Sequence, residues 1–235
     1  PEPLARVVAP EIGAFFARLH RGHGVDLRTG VAVSAIEEAG KQVDLVTEDG
    51  ERITVDLVVA GIGAVPNTEL AAAAGLVVEN GVVVDEFGRS SDPAIFAAGD
   101  VTRHHNPVLD RRIRLEAWQN AQNQAIAVAK VMGAEATGGG AEAFAEVPWF
   151  WTDQYDVNLQ SAGAPESWDR LIWRGAPTDR AFTLFYLKDN RVVAVNTVNN
   201  ARDMRVAKML IANRREVDAG RLGDPGAKLQ DFARS

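Results

Sequence analysis

The residues best suited to bind a ligand follow a short apolar run in the middle of the chain. Residues 94–98 (AIFAA) predict a buried strand, which stops at Gly99 and Asp100. Open α/β folds bind ligands at the carboxyl ends of such strands, and a glycine there lets the backbone approach closely. Asp100 could accept hydrogen bonds from sugar hydroxyls, or its carboxylate could simply cap a turn. The spacing alone leaves both interpretations open.

Composition restricts the other chemistry that this chain can perform. Among 235 residues there are four histidines and no cysteine, which argues against a zinc or iron–sulfur site and against a redox thiol pair. The net charge of −7 is atypical of a general nucleic-acid binder. No run approaches the roughly 20 apolar residues of a membrane-spanning helix. Any redox chemistry must therefore be carried out by a bound cofactor.

Two histidines, His104 and His105, lie just after the Gly99-Asp100 pair. Neither has a neighbouring cysteine or a carboxylate triad in the sequence. We therefore expect both to be loop residues, and we assign no side chain of the chain a role as a catalytic acid or base.

The first quarter of the chain predicts a helix followed by short strands. Residues 10–21 have an apolar face at helical spacing behind Pro10. Strands are expected at 25–28, 31–36, 42–47 and 52–55, with Asp49-Gly50 as the hairpin turn before the last of them. The nearly continuous apolar run at 56–60 predicts a strand covered on both faces, ending at Gly61-Ile62-Gly63.

The rest of the chain predicts an α/β segment and then a smaller α+β region. Residues 82–84 form another apolar run, and 116–132 predict one long helix ending at Gly133. Beyond the glycines at 138–140, an antiparallel sheet is expected from residues 157–161, 170–174, 182–187 and 192–198, with Asp189-Asn190 as a turn. Helices are expected at 203–213 and 227–233.

Several motifs together resemble one family. Residues 92–101 (DPAIFAAGDV) look like the second FAD motif of the FAD-dependent pyridine nucleotide reductases, and residues 58–67 (VVAGIGAVPN) resemble the junction where the NAD-binding domain returns to the FAD-binding domain. Residues 115–121, 148–155 and 195–203 are similar to the ferredoxin reductases of bacterial oxygenase systems. The resemblance covers essentially the whole chain.

The resemblance implies part of a Rossmann-like flavoprotein with two dinucleotide-binding domains, followed by a small α+β domain with an antiparallel sheet. It divides the chain into the end of an NAD-binding domain (1–63), a second segment of an FAD-binding domain (64–147) and a C-terminal reductase domain (148–235). The family's two G-x-G-x-x-G phosphate loops do not occur here. By the family's layout the chain begins inside the NAD-binding domain, so we expect roughly the first 40% of a typical member to lie upstream.

The same resemblance implies the roles of several residues toward FAD. Asp100, behind Gly99, would bind the ribityl chain, and the Val101 N–H would reach the flavin-side phosphate. The helix beginning near Glu116 would direct its positive end at the flavin, with the backbone N–H of Trp118 as a donor. Trp151 would lie beside the isoalloxazine and the nicotinamide and restrict water.

Each of these roles has a structural alternative. Trp118 and Trp151 could be packing tryptophans, although Trp149 fits that role better. Glu116 could contact the nicotinamide carboxamide or be an exposed glutamate favoured by the helix dipole. The residues Gly61, Ile62 and Gly63 could line the path of the nicotinamide dinucleotide or permit a sharp crossover between domains.

The implied function is transfer of electrons from NAD(P)H through FAD to an iron–sulfur ferredoxin that feeds an oxygenase, in the cytoplasm. A basic patch could dock an acidic ferredoxin or be a solvated helix face; it comprises Arg202, Arg205, Lys208, Arg214 and Arg215. The alternatives are an NADH oxidase, a disulfide reductase relative, or a fragment without activity. The absence of histidine from residues 141–235 counts against a disulfide reductase.

Overall fold

The computed structural model describes residues 2–234, which fall into two compact units that meet in sequence at Val65 and Pro66. The first unit contains α1 (Pro10–Gly22) and a three-stranded antiparallel sheet in the order β1-β2-β3. Its strands are β1 (Val33–Ala39), β2 (Gln42–Thr47) and β3 (Arg52–Val55).

The sequence of α1 explains both of its ends and its buried face. Pro10 occupies the first turn, where its missing N–H costs nothing, and the chain leaves the helix through Gly24 at φ 82°. Ile12 and Phe16 are buried on one face. The Asp49-Gly50 turn joins β2 to β3 as predicted, with Gly50 at φ 88°.

Two predicted strands of the first unit, at 25–28 and 56–60, are wrong, and a third is displaced. Residues 25–28 have no strand conformation, and the strand expected at 31–36 begins only at Val33. Residues 56–60 do not form a strand, and the side chains of Leu57 and Val59 are 77% and 86% exposed. No strand among residues 2–65 pairs with this run, and Val58 alone of its valines and leucine is half-buried.

The second unit begins with a small mixed sheet and a long helix. After α2 (Glu69–Ala73), the strands β4 (Val82–Val84), β5 (Thr102–Asn106) and β6 (Arg111–Ile113) form a sheet in chain order, with β4 parallel to β5. The helix α3 (Trp118–Thr137) follows.

The structure corrects two expectations in this region. Residues 94–98 are not a strand, because only Phe96 makes a single bridge, with Arg89. The long helix begins two residues later than expected and continues through Gly133 to Thr137. It ends at Gly138, which adopts the left-handed conformation at φ 73° that glycine accommodates without strain.

A five-stranded antiparallel sheet forms the largest part of the second unit. It has the order β7-β8-β11-β10-β9 and consists of β7 (Trp149–Gln154), β8 (Val157–Gly163), β9 (Arg170–Arg174), β10 (Phe182–Lys188) and β11 (Arg191–Val198). Four strands were expected, and β7 was missed. Asp189 and Asn190 form the turn between β10 and β11, with φ of 50° and 57°.

Helices at the end of the chain complete this unit. They are α4 (Ala201–Asn213), α5 (Ala219–Gly223), which was not predicted, and α6 (Leu229–Arg234). The helices α4 and α5 pack on the sheet, and α6 packs against α4. The buried face of α4 contributes Met204, Ala207 and Leu210 to a core shared with Phe185 and Val195 of the sheet. This core makes the end of the chain a rigid support for the residues at its edge.

Candidate functional site

The Gly99-Asp100 turn is held against the first two turns of α3. The amide N–H of Gly99 donates to Oε1 of the buried Gln124 at 2.8 Å, and the hydroxyl of Thr102 donates to the same oxygen at 3.1 Å. Gly99 has φ 82°, and a Cβ placed on it would lie 3.6 Å from Cβ of Ala121. The positive φ favours glycine at this turn, whereas a Cβ there would only make an ordinary contact with the helix.

This turn presents an acceptor and a donor to solvent. The Asp100 side chain is exposed and takes part in no hydrogen bond or ion pair with residues 2–234. The structure thus gives no support to the alternative in which this carboxylate caps the turn. Within the same described range, the half-buried Val101 accepts a bond from the Val82 N–H at 2.8 Å but donates none through its own amide.

The amino end of α3 adds further free donors. Ala117 is extended, no side chain caps the helix, and the first helical hydrogen bond joins the Ala121 N–H to the Ala117 carbonyl. The amides of the first turn therefore keep their partial positive charge for a ligand. Glu116 precedes the helix and forms an ion pair with Arg114, so the structure shows it neutralising that guanidinium.

Three tryptophans and a lysine form an aromatic cluster beside this helix end. Trp118 is 68% exposed and Trp151 41% exposed, with their rings edge to face at 6.4 Å. Trp151 in turn stacks on Trp149 at 5.0 Å, and the Lys208 ammonium lies 4.2 Å from the centre of the Trp149 ring. Burial lowers the pKa of Lys208, an effect that the carboxylate of Glu146 opposes.

The cluster borders a groove of about 560 Å³ between α3, the segment before β7, and α4. Its lining includes Asn120, Trp149 and Lys208. The Trp149 indole N–H has no hydrogen-bond partner among the described residues, and the same is true of the Asn120 side-chain amide nitrogen. Trp149 also packs against the C-terminal core, in keeping with the packing role for which the sequence favoured it.

The predicted site residues do not all belong to one unit. The second unit contains Gly99, Asp100, Val101, Glu116, Trp118 and Trp151. Gly61, Ile62 and Gly63 belong to the first unit, where Ile62 is 93% exposed and Gly63 adopts φ 95° with open space at its Cβ position. Gln124 and Lys208 are functional candidates that the motifs did not single out as parts of this site.

The basic patch is not a uniform solvated face. Arg202 and Arg205 are exposed on α4, and Arg214 and Arg215 are exposed just beyond its end. Lys208 differs from them because it is half-buried over Trp149. The patch therefore joins free surface charge to the aromatic cluster through this one lysine.

The interpretation of the two histidines as loop residues is wrong. Both lie in β5, and His104 is 1% exposed with no hydrogen-bond partner for either ring nitrogen among residues 2–234. Burial, with a smaller effect of His105, lowers the pKa of His104 to about 4. His105 lies 3.6 Å from a Glu86 oxygen and 3.8 Å from an Asp110 oxygen.

The described residues contain no cluster of three or more histidine, aspartate or glutamate side chains able to hold a metal ion. The same part of the chain has no helix with the length and apolar character required to cross a membrane.

Comparisons with known proteins define the class to which this fold and site belong. Residues 1–125 match the family model of the pyridine nucleotide-disulphide oxidoreductases, and residues 149–233 match a reductase C-terminal domain. The chain belongs to the pyridine nucleotide-disulphide oxidoreductase family. This confirms the predicted fold class of a Rossmann-like α/β region followed by a domain with an antiparallel sheet.

Its relatives include reductases of oxygenase systems, which confirms the resemblance stated from the motifs. The chain is 42% identical to putidaredoxin reductase CamA of Pseudomonas putida over 232 residues, or 97% of this chain and 54% of that protein. It is 43% identical over 231 residues to the ferredoxin–NAD(+) reductase component of the anthranilate 1,2-dioxygenase system of Burkholderia cepacia, with coverage of 97% and 55%.

Among solved structures, the chain matches the covalent putidaredoxin reductase–putidaredoxin complex with a TM-score of 0.90 and 42% identity, covering 99% of this chain and 55% of that one. It matches the ferredoxin reductase for the CYP199A2 system of Rhodopseudomonas palustris with a TM-score of 0.91 and 35% identity, covering 99% and 57%. The chain thus spans about half the length of the relatives it matches.

Proposed function

We propose that this chain acts within an FAD-dependent NAD(P)H:ferredoxin reductase that supplies an oxygenase, in the cytoplasm. The observation that carries the proposal is the Gly99-Asp100 turn pinned by Gln124 to the free amino end of α3. Residues 1–63, 64–147 and 148–235 then correspond to the end of an NAD-binding domain, a segment of an FAD-binding domain and a C-terminal reductase domain.

The residues present fit a cofactor that carries sugar-like hydroxyls, a phosphate and a ring that gains negative charge. Asp100 offers an unpaired carboxylate to hydroxyls, and the Val101 amide offers a donor to a phosphate oxygen. The uncapped amides from Trp118 onward would stabilise negative charge on such a ring. FAD, when bound, supplies the exchange of a two-electron hydride for single electrons.

The chain's own residues orient the reactants and exclude water. The exposed ring of Trp151 is fixed by stacking on Trp149, which is held in turn by Lys208 and the C-terminal core. A ring fixed in this way restricts water at the reaction zone without exchanging protons. Glu116 and the segment Gly61, Ile62 and Gly63 are proposed contacts of the nicotinamide dinucleotide.

The partner we propose is an acidic iron–sulfur ferredoxin. The patch of exposed arginines on and after α4 provides positive charge on a chain whose net charge is −7. Opposite charge on a small partner steers its encounter with this face and leaves the complex transient. Lys208 connects the patch to the tryptophans, so docking brings the partner close to the proposed flavin-binding residues.

The decisive experiment is the visible absorption spectrum of the purified full chain, before and after added FAD, followed by NADH without air. A flavin band that bleaches on NADH addition and recovers on adding an oxidised ferredoxin supports the proposal. Recovery with oxygen but not with any ferredoxin would favour the oxidase alternative. A chain that stays colourless after addition of FAD would overturn flavin binding by this chain alone and favour the alternative of a fragment without activity, while the family assignment would stand.

A further inference from the structure

A second cavity in the same unit has a lining unlike that of the groove beside the tryptophans. It measures about 350 Å³ and lies where the β5–β6 turn, the loop after β8, the β10–β11 turn and the end of α4 meet. Its apolar lining comes from Val108, Leu109, Pro165, Val192 and Ile211. Volumes of about 300–1,000 Å³ with mostly apolar walls are typical of small-molecule sites.

Basic side chains surround this apolar lining. Four of them contribute to the cavity, against two acidic ones, which leaves a net charge of +2 in a chain of −7. The basic residues are Arg111, Lys188, Arg191 and Arg214, and the acidic ones are Glu166 and Asp189. Positive charge over an apolar floor selects molecules that carry an acid group on an apolar body.

Three of the four cations are already engaged. Arg111 donates to the Ala164 carbonyl and lies 3.4 Å from a Glu166 oxygen. The Lys188 ammonium donates to the Ser167 hydroxyl at 2.8 Å, and Arg191 lies 3.3 Å from a carboxylate oxygen outside the cavity.

Arg214 is the exception. It follows the last residue of α4, and its guanidinium has no hydrogen bond or ion pair with any of residues 2–234. A guanidinium offers several N–H donors in a planar fork that matches a carboxylate or a phosphate. The cavity thus combines a free anion-binding group with an apolar floor.

We propose that this cavity binds a small organic anion, with its carboxylate or phosphate group on Arg214 and its apolar body on the floor formed by Val108, Val192 and Ile211. The proposal goes beyond the proposed reductase function and uses none of the residues assigned to the flavin. It removes Arg214 from the ferredoxin-docking patch, which then comprises Arg202, Arg205, Lys208 and Arg215.

The test is calorimetric titration of the full chain with four probes. Benzoate and phenyl phosphate carry the two acid groups on an identical ring, benzyl alcohol is the neutral counterpart, and inorganic phosphate lacks the ring. We expect saturable one-to-one binding of benzoate or phenyl phosphate, about tenfold or more tighter than either control probe. The stronger of the two acids identifies the natural head group.

Matched variants locate the binding. Arg214→Gln should weaken binding about tenfold, whereas Arg215→Gln, which removes the same charge from the next residue, should change it less than about twofold. Ala164→Leu keeps every charge and fills part of the cavity, so it should also weaken binding. Circular dichroism of each variant verifies that the fold is retained.

Three outcomes would overturn the proposal. These are an absence of saturable binding by either acid, binding of benzyl alcohol or inorganic phosphate as tight as that of the acids, and equal losses from Arg214→Gln and Arg215→Gln. The last result would reduce the cavity to general surface charge. Because the titration follows binding and not electron transfer, its outcome is separate from that of the flavin experiment.

Discussion

Asp203 in the C-terminal region and Asp100 in the flavin-site region show how differently two carboxylates are used in one chain. Asp203 accepts hydrogen bonds from the Thr183 hydroxyl and the Asn200 amide, each at 2.8 Å, and lies 3.5 Å from Nε of Arg174. The exposed Asp100 carboxylate has none of these interactions with the described residues. A satisfied carboxylate stabilises a fold, and an unsatisfied one is available to a ligand.

The largest expected effect breaks the C-terminal network. Asp203→Ala leaves the guanidinium of Arg174, which is only 13% exposed, without its carboxylate partner. The variant also removes two hydrogen bonds to a charged carboxylate, each of which typically contributes about 1.5–3 kcal/mol to the free energy of unfolding, while Arg174 keeps its bonds to backbone carbonyls. Urea denaturation measures it, with Asp100→Ala as the matched control, expected to change stability by less than about 0.5 kcal/mol. Equal losses in the two variants would remove the contrast.

His104 tests the effect of burying a polar side chain whose ring nitrogens have no hydrogen-bond partner. Its side chain is as buried as those of the core, yet it has no hydrogen-bond partner within residues 2–234. In the unfolded chain the His104 imidazole has its ordinary pKa of about 6.5, whereas in the folded chain its pKa falls to about 4. The unfolded state therefore binds more protons between these values, and stability falls as pH decreases through this window.

The free energy of unfolding that is lost through His104 reaches at most about 3 kcal/mol. This limit is reached once the pH falls below the folded-state pKa, where the pH dependence from His104 ends. Denaturation midpoints measured at pH 7, 5.5 and 4 test this. His104→Phe should flatten the profile between pH 6.5 and 4. A variant profile as steep as that of the parent would place the acid sensitivity in other groups.

A smaller effect is expected at Asp100 itself. Asp100→Ala removes one charged acceptor from the proposed flavin site, which should weaken FAD binding about tenfold. FAD fluorescence titration of the full chain provides the measurement. Glu142→Gln removes a charge from another exposed acid and should leave the affinity unchanged. If both variants bind FAD equally well, Asp100 has no role in binding.

The smallest effect concerns encounter with the partner. Arg202→Gln with Arg205→Gln should lower kcat/KM for an acidic ferredoxin about threefold at low salt, because steering depends on surface charge. At about 1 M salt the difference should vanish, since screening then acts over about 3 Å. A loss that persists at high salt would indicate direct contacts instead of steering.

Local sequence signals predicted the parts of the fold that local physics decides. The helix behind Pro10, the hairpin at Asp49-Gly50 and the two-residue turn at Asp189-Asn190 each follow from a single conformational preference. The apolar run at 56–60 was misassigned because apolar character does not by itself determine burial, and Leu57 and Val59 are exposed.

Sequence motifs predicted which residues belong to the candidate site, but not the contacts that hold them in place. Asp100 was singled out by its position after an apolar run and by resemblance, and Trp118 and Trp151 by resemblance alone. The roles of all three remain proposals. The bond from Gly99 to Gln124 joins residues 25 positions apart and has no periodic sequence signal. Lys208 was grouped with solvated arginines because sequence shows its charge but not the ring of Trp149 beneath it.

The tryptophan stack gives this molecule an optical property of its own. Indole rings 5.0 Å apart and inclined by 25° couple their electronic transitions, so Trp149 and Trp151 should produce a paired positive and negative band in circular dichroism. The ammonium of Lys208 over one ring shifts that ring's transition relative to the other. Binding of a partner that displaces Lys208 or tilts Trp151 would therefore change this circular dichroism band, without any added dye.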